Sequence, residues 1–261
     1  PELLPETVAD QLMEAGVVPF CGLQEALQAC AAASQILPEV AEPILLPTPV
    51  AEPELIPEAE AKFRLAGFGL RVPKSIRAKS TGAARAAAAD IGYPVVLKGE
   101  GLAHKTEAGA VLLNLTSGGA VSDAAFAMPA ERFLVEEMVT GTVAELLIGV
   151  VKDPAHGFVL TVAAGGTMTE LLQDSASLLL PVSEAQVNAA LDSLKIAPLL
   201  AGYRGKPGAD RAAILRAVQA VQAYVLAEAT GLEEIEINPL LCTPNDAVAA
   251  DALMRRKDIL K

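Results

Sequence analysis

The sequence predicts an α/β domain over residues 58–261, preceded by a short helical tail and a linker. Three observations carry this. Short apolar runs of strand character recur between residues 94 and 252, interleaved with Ala-rich helical stretches. Six prolines fall between Pro38 and Pro57, amid several acids. Charge is uneven: residues 1–60 carry 11 acids and no Lys or Arg, whereas residues 61–261 carry 21 acids and 20 bases. The net charge of −12 therefore belongs almost wholly to the leading segment.

Taken in order, residues 6–16 and 23–36 read as short helices; Leu23, Ala26, Leu27, Cys30 and Ala31 fall at helical spacing. Residues 38–57 read as an extended, semi-rigid linker. A helix over 58–67 is ended by Gly67, and "KSIRAK" is a short strand. Ser80 or Thr81 can cap a helix over 83–91, with Gly92 just beyond its end. Pro94–Leu97 is a buried strand, and 110–116 is its antiparallel partner. A second strand group follows at 132–139, 144–152 and 157–163. "SEAQ" at 183–186 is a capping box opening a helix to about Leu194. The longest helix covers 209–229; strand 233–241, a turn at Pro244-Asn245-Asp246 and strand 247–252 close the chain.

Composition excludes several classes. Hydrophobic residues make up 52%, aromatics 3% and Trp none, so the core is aliphatic and Ala-rich. No stretch reaches the roughly 18–20 apolar residues of a membrane span. The first 60 residues hold no base to form the n-region of a signal peptide. Without a basic field, nucleic acid is not an expected partner. Cys21, Cys30 and Cys242 lack CxxC spacing and read as free thiols of a reducing cytoplasm; a thiol nucleophile is the alternative, with no local motif to support it.

Four stretches could carry chemistry. "VVLKGEGLAHKTEAGAVLLNL" ends an apolar strand on Lys98 and places His104, Lys105 and Thr106 in a Gly-rich loop. Backbone N–H groups of such a loop make an anion-binding concavity, although the spacing is not that of GxxxxGK[ST]; a solvated hairpin loop is the alternative. His104 there could act as phosphoryl acceptor or acid/base, whereas His156, in the turn "KDPAHG", reads as surface. In "LEEIEINPLLC", alternation puts Glu234, Glu236 and Asn238 on one strand face. With Asp251 on the next strand, these are oxygen ligands suited to Mg²⁺, or simply a polar sheet edge. Glu136, Glu137 and Glu145 interrupt apolar strands, as an exposed edge or a nucleotide would each require. Gly165-Gly166, followed by Thr167 and Thr169, makes a strand-to-helix turn that could face an anion or be a plain tight turn.

In order along the chain, "GYPVVLKGEGLAHKTEAGAVLLNL", "FLVEEMV", "ELLIGVVKDPAHGFVL", "AAGG", "LLAGYRGKPGAD" and "EIEINPL" resemble the ATP-grasp domain of NDP-forming acyl-CoA synthetases. These include the ADP-forming acetate–CoA ligases, with succinyl-CoA synthetase a distant relative. The segment "LMEAGVVPFCGLQEALQACAAASQ" resembles the end of the CoA-ligase domain that precedes ATP-grasp in single-chain members. The resemblance implies two subdomains of antiparallel sheet flanked by helices over 58–261, with residues 1–37 a helical tail and 38–57 a linker. It implies a cytoplasmic acid–thiol ligase, binding ATP/ADP with Mg²⁺ and working by phosphohistidine relay. It assigns Lys98 to the nucleotide phosphates and His104 of the HK[ST] motif to phosphoryl relay, with Lys105 beside it. Glu136, Glu137 and Met138 match the adenine hinge, Glu145 the ribose carboxylate, and Gly165 and Gly166 the nucleotide-facing turn. Glu236, with a catalytic part, and Asn238 and Asp251 match the metal side.

Two departures stand out. Ala110 follows Gly109 where the family often has a second Gly, and Glu236 replaces the Asp of many members while keeping a carboxylate. CoA-binding and phosphohistidine domains are not among these residues, so they are expected in cis or on another subunit; self-association into a homo-oligomer is also allowed. The alternatives are a regulatory nucleotide-binding module related to these synthetases, which has no need of His104, and a carboxyl–amine ligase, against which the "HKT" loop argues.

Overall fold

The computed structural model describes residues 4–20, 22–34, 52–101, 109–166 and 174–257. His104, Lys105, Thr106, Thr167, Thr169, Cys21 and most of the linker lie outside the described residues. The chain divides into two compact units, Pro1–Pro43 and Ile44–Lys261. The first holds α1 (Glu6–Glu14) and α2 (Leu23–Ala33), neither with a buried residue. The expected apolar stripe of α2 is in place, with Leu23 and Leu27 exposed.

The second unit is built on two antiparallel sheets. The four-stranded sheet has the order β2 (Ser75–Ala78), β5 (Phe133–Glu137), β3 (Val95–Gly99), β4 (Val111–Leu115). Helices α4 (Thr81–Ile91) and α5 (Gly118–Ala127) cover one face: Ala84, Ala87 and Ala88 of α4 and Val121 and Ala125 of α5 pack on Val95, Leu97, Phe133 and Val135. Ser80 caps α4 by accepting from the Ala83 N–H, and Gly92 ends it at φ 94°, as its position implied. Strand alternation then turns Val96, Lys98, Leu134 and Glu136 to the opposite face.

The larger sheet runs β1 (Glu54–Ile56), β11 (Ala252–Arg256), β9 (Leu232–Cys242), β6 (Ala144–Asp153), β7 (Gly157–Ala164), β8 (Ser175–Leu179), with β10 (Ala247–Ala249) also pairing with β9. Its core is packed by α3 (Glu58–Ala66), α6 (Glu184–Ser193), α7 (Ala197–Ala201) and α8 (Arg211–Glu228). On α8, Ile214, Ala217, Val218, Val221, Tyr224 and Val225 form the buried stripe that a 3.6-residue period produces. The capping box of α6 forms between Ser183 and Gln186.

Several expectations need correction. β5 does not belong with β6 and β7; it inserts between β2 and β3 of the smaller sheet. A lone antiparallel strand carries no local signal of its partner. The strand expected over 247–252 is two strands, both paired with β9, and Asp251 lies in the break between them. Residues Glu54–Ile56, expected within the linker, add a strand to the larger sheet by pairing with β11. Helices α5 and α7 and strand β8 had not been anticipated.

Candidate functional site

Glu58 opens α3 and Lys62 follows one turn later on its buried face, with Ala61 and Leu65. Lys98 comes from β3 and Glu136 from β5, diagonal neighbours on the sheet face left open by α4 and α5. These four side chains meet. Lys98 Nζ donates to Glu58 Oε1 at 2.7 Å and to the Ala250 carbonyl at 2.7 Å, and lies 3.0 Å from Glu136 Oε2. Lys62 Nζ donates to Glu58 Oε1 at 2.7 Å, to Ala250 O at 3.0 Å and to Glu136 Oε1. Lys62, Lys98 and Glu136 are all buried. Burial alone would pull the Lys98 ammonium down, but Glu58, then Glu136 and Asp251, outweigh it and hold its pKa above the ordinary lysine range.

Lys98 lines a cleft of about 900 Å³. Glu236, Asn238 and Asp251 line it too, as do Arg77, Lys79 and Arg132. A bulge aims the acidic wall. Leu146 and Ile148 of β6 face Leu240 and Ile237 of β9, so β9 carries one extra residue at Asn238-Pro239. Ile235 and Ile237 stay in the core while Glu236 and Asn238 remain half-buried on the other face. Burial raises the Glu236 carboxyl above its ordinary value; the neighbouring Glu234 and Asp251 carboxylates add to this, and a hydrogen bond with Asn238 opposes it.

Among the described residues, Glu136, Glu137, Met138, Glu145, Gly165 and Gly166 do not line this cleft. Asn238 Oδ1 accepts from the Gly166 N–H at 3.0 Å, and Gly165 donates to the Glu145 carbonyl at 2.8 Å. The Gly165-Gly166 turn therefore joins Glu145 to Asn238. The side chain of Glu136 is committed to the two lysines, and Glu137 pairs with Arg71 at 2.5 Å. The N–H groups of Glu137 and Met138 donate to the Lys74 and Pro94 carbonyls. Cys242 is buried and its thiol is pushed up to about 12, chiefly by burial, which disfavours a nucleophilic role.

Sequence reasoning missed Glu58, Lys62 and the Arg77, Lys79 and Arg132 rim. A signal for the first two existed: Lys62 shares a helical face with Ala61 and Leu65, and Glu58 precedes it by four residues.

Among the described residues, no three or more His, Cys, Asp or Glu gather as a metal cage. Two carboxylates and an amide oxygen nonetheless suit Mg²⁺, which is commonly held by one or two carboxylates plus substrate phosphates.

A family model described as ATP-grasp domain matches residues 50–255. The chain belongs to the ATP-grasp family. Over 96% of its length this ATP-grasp chain is 34% identical to a trans-feruloyl-CoA synthase of an unknown prokaryotic organism. It is 28% identical over 78% of its length to the β subunit of the ADP-forming acetate–CoA ligase I of Pyrococcus furiosus. It spans 38% of the first protein and 93% of the second. A dinucleotide-forming acetyl-coenzyme A synthetase 1 of Ca. Korarchaeum cryptofilum, solved with coenzyme A, Ca-AMPCP and HgCl⁺, superposes with a TM-score of 0.72 at 25% identity. That match covers 90% of this chain and all of the other. The chain thus corresponds to the ATP-grasp part of ADP-forming acyl-CoA synthetases. Among the described residues no helix is long and apolar enough to cross a membrane.

Proposed function

We propose that this chain is the ATP-binding, phosphoryl-transferring part of an acyl-CoA synthetase, catalysing acid + CoA + ATP ⇌ acyl-CoA + ADP + phosphate. CoA-binding and phosphohistidine domains, in cis or on another subunit, complete the cycle; a β subunit among the relatives supports that division. The reading suits a cytoplasmic enzyme.

One observation carries it: a buried lysine, held charged, faces a cleft whose other wall presents Glu236, Asn238 and Asp251. Such a pairing of cation and oxygen donors fits a metal–triphosphate. Lys98 would bind the phosphates as a point charge and stabilise the charge that develops during transfer. Glu236, Asn238 and Asp251 would hold Mg²⁺, which arrives with the nucleotide and neutralises phosphate charge. Gly166 would keep Asn238 turned to that task through its N–H. His104 and Lys105, from the loop after Lys98, would meet the phosphoryl group.

Calorimetric titration with Mg-ATP tests this. The wild-type chain should bind, and Lys98→Ala should lose binding while keeping a cooperative melt. Tight binding by Lys98→Ala, or none by the wild type, would sink the reading. If Mg-ATP or a phosphorylated partner domain leaves His104 unlabelled, the regulatory-module reading gains instead.

A further inference from the structure

Lys62 is 2% exposed and does not line the cleft, so it has no direct path to a nucleotide there. Yet it repeats every bond of Lys98. Both ammonium groups reach Glu58 Oε1, both reach the Ala250 carbonyl, and each takes one oxygen of Glu136. Two lysines and two glutamates neutralise each other in this seam. The partners come from separate places: α3 gives Glu58 and Lys62, β5 gives Glu136, and Ala250 sits in the break beside Asp251.

We propose that Lys62 is a positioning residue for Lys98, the resident counter-cation that keeps Glu58, Glu136 and Ala250 O satisfied when Lys98 turns to phosphate. This rests on the reading of the cleft as a nucleotide site. Without Lys62, a departing Lys98 would strip the buried Glu136 carboxylate of both lysines that hold it. A desolvated carboxylate parted from its counter-cations is strongly disfavoured. Lys98 would then be held against its glutamates, and phosphate affinity would fall. With Lys62 in place, three acceptors keep an ammonium whichever way Lys98 points. A lysine that served only to clamp α3 to the sheets would affect all ligands alike.

The test uses the 261-residue chain and two ligands: Mg-ATP, titrated by calorimetry, and adenosine, which has no phosphate and is followed by ligand-observed NMR. Lys62→Met should weaken Mg-ATP by about tenfold, the worth of a charge-assisted interaction, and leave adenosine unchanged. Lys62→Arg, which keeps the charge, should restore most of the affinity. If Lys62→Met lacks a cooperative melt, Lys62→Gln replaces it, because an amide can still donate to Ala250 O and Glu58. Equal losses for both ligands, an unchanged Mg-ATP affinity, or failure of both neutral variants to fold would overturn the proposal. A wild type that ignores Mg-ATP would instead overturn the nucleotide reading itself.

Discussion

Lys98 and Glu236 face one cleft from two sheets that treat charge in opposite ways. The Lys98 wall is buried and balanced, with two ammonium groups against two carboxylates and a carbonyl. The Glu236 wall is half-buried and acidic: burial, together with the Glu234 and Asp251 carboxylates, raises the proton affinity of Glu236, with the Asn238 amide as relief. On one wall opposite charges interlock; on the other, like-charged carboxylates lie close together. The same isosteric substitution should therefore have opposite consequences on the two sides. Glu136→Gln strips a carboxylate from two buried lysines and should cost about 3 kcal/mol of folding stability, since removing one partner strands a buried charge. Glu236→Gln removes repulsion and should leave the apo melting temperature unchanged or higher, while Mg-ATP affinity falls by roughly tenfold or more. Denaturant melts and calorimetry on both variants decide. Equal destabilisation by the two would erase the contrast between the walls.

A smaller effect probes how the acidic wall is aimed. A Cβ on Gly165 would run into the backbone of Leu146, which cannot move without disturbing β6. The turn it belongs to holds the Gly166 N–H on Asn238 Oδ1. Gly165→Ala should cost about 2 kcal/mol through overpacking. It should also weaken Mg-ATP, because Asn238 loses its orientation. Gly166→Ala meets only the mobile carboxylate of Glu145, although its φ of +75° adds backbone strain. A Gly165→Ala protein with wild-type melting and affinity would show that the turn does not aim Asn238.

The two walls also differed in how far the sequence disclosed them. The acidic face of β9 was readable because alternation is local: Ile235 and Ile237 mark the core side, and Glu236 and Asn238 follow. Lys98 stood out as a charge ending an apolar run. What it would touch was not readable, because its partners Glu58, Glu136 and Ala250 lie 40, 38 and 152 positions away. Sheet membership is equally non-local, so β5 was grouped with the wrong strands and the break at Asp251 looked like one continuous strand. Helix α5 escaped because "GGAVSDAAFA" opens on two glycines, which favour turns; the Ser117 side chain that caps it accepts from the Ala120 N–H. The order of motifs compensated, since it carried the two-sheet architecture that no single window could supply.

Outside the cleft, the β6–β7 turn offers the smallest effect and a control for solvated charge. Asp153 Oδ1 accepts from the Ala155 and His156 N–H groups at 2.8 Å each, and contacts His156 Nδ1 at 2.8 Å. The Ala155 hydrogen bond, followed by those of His156, holds this exposed carboxyl below its ordinary value. A depressed folded pKa means the carboxylate stabilises the fold above its unfolded pKa of about 3.9, and the gain disappears as pH falls through the folded value. Asp153→Asn keeps the shape and removes the charge. Its melting temperature should sit slightly below wild type at neutral pH, with the gap closing in acid. A gap that widens in acid would mean that the turn draws nothing from the charge. A neutral-pH gap as large as that of Glu136→Gln would show that exposed and buried carboxylates are worth the same here, against the burial difference on which the contrast between the walls depends.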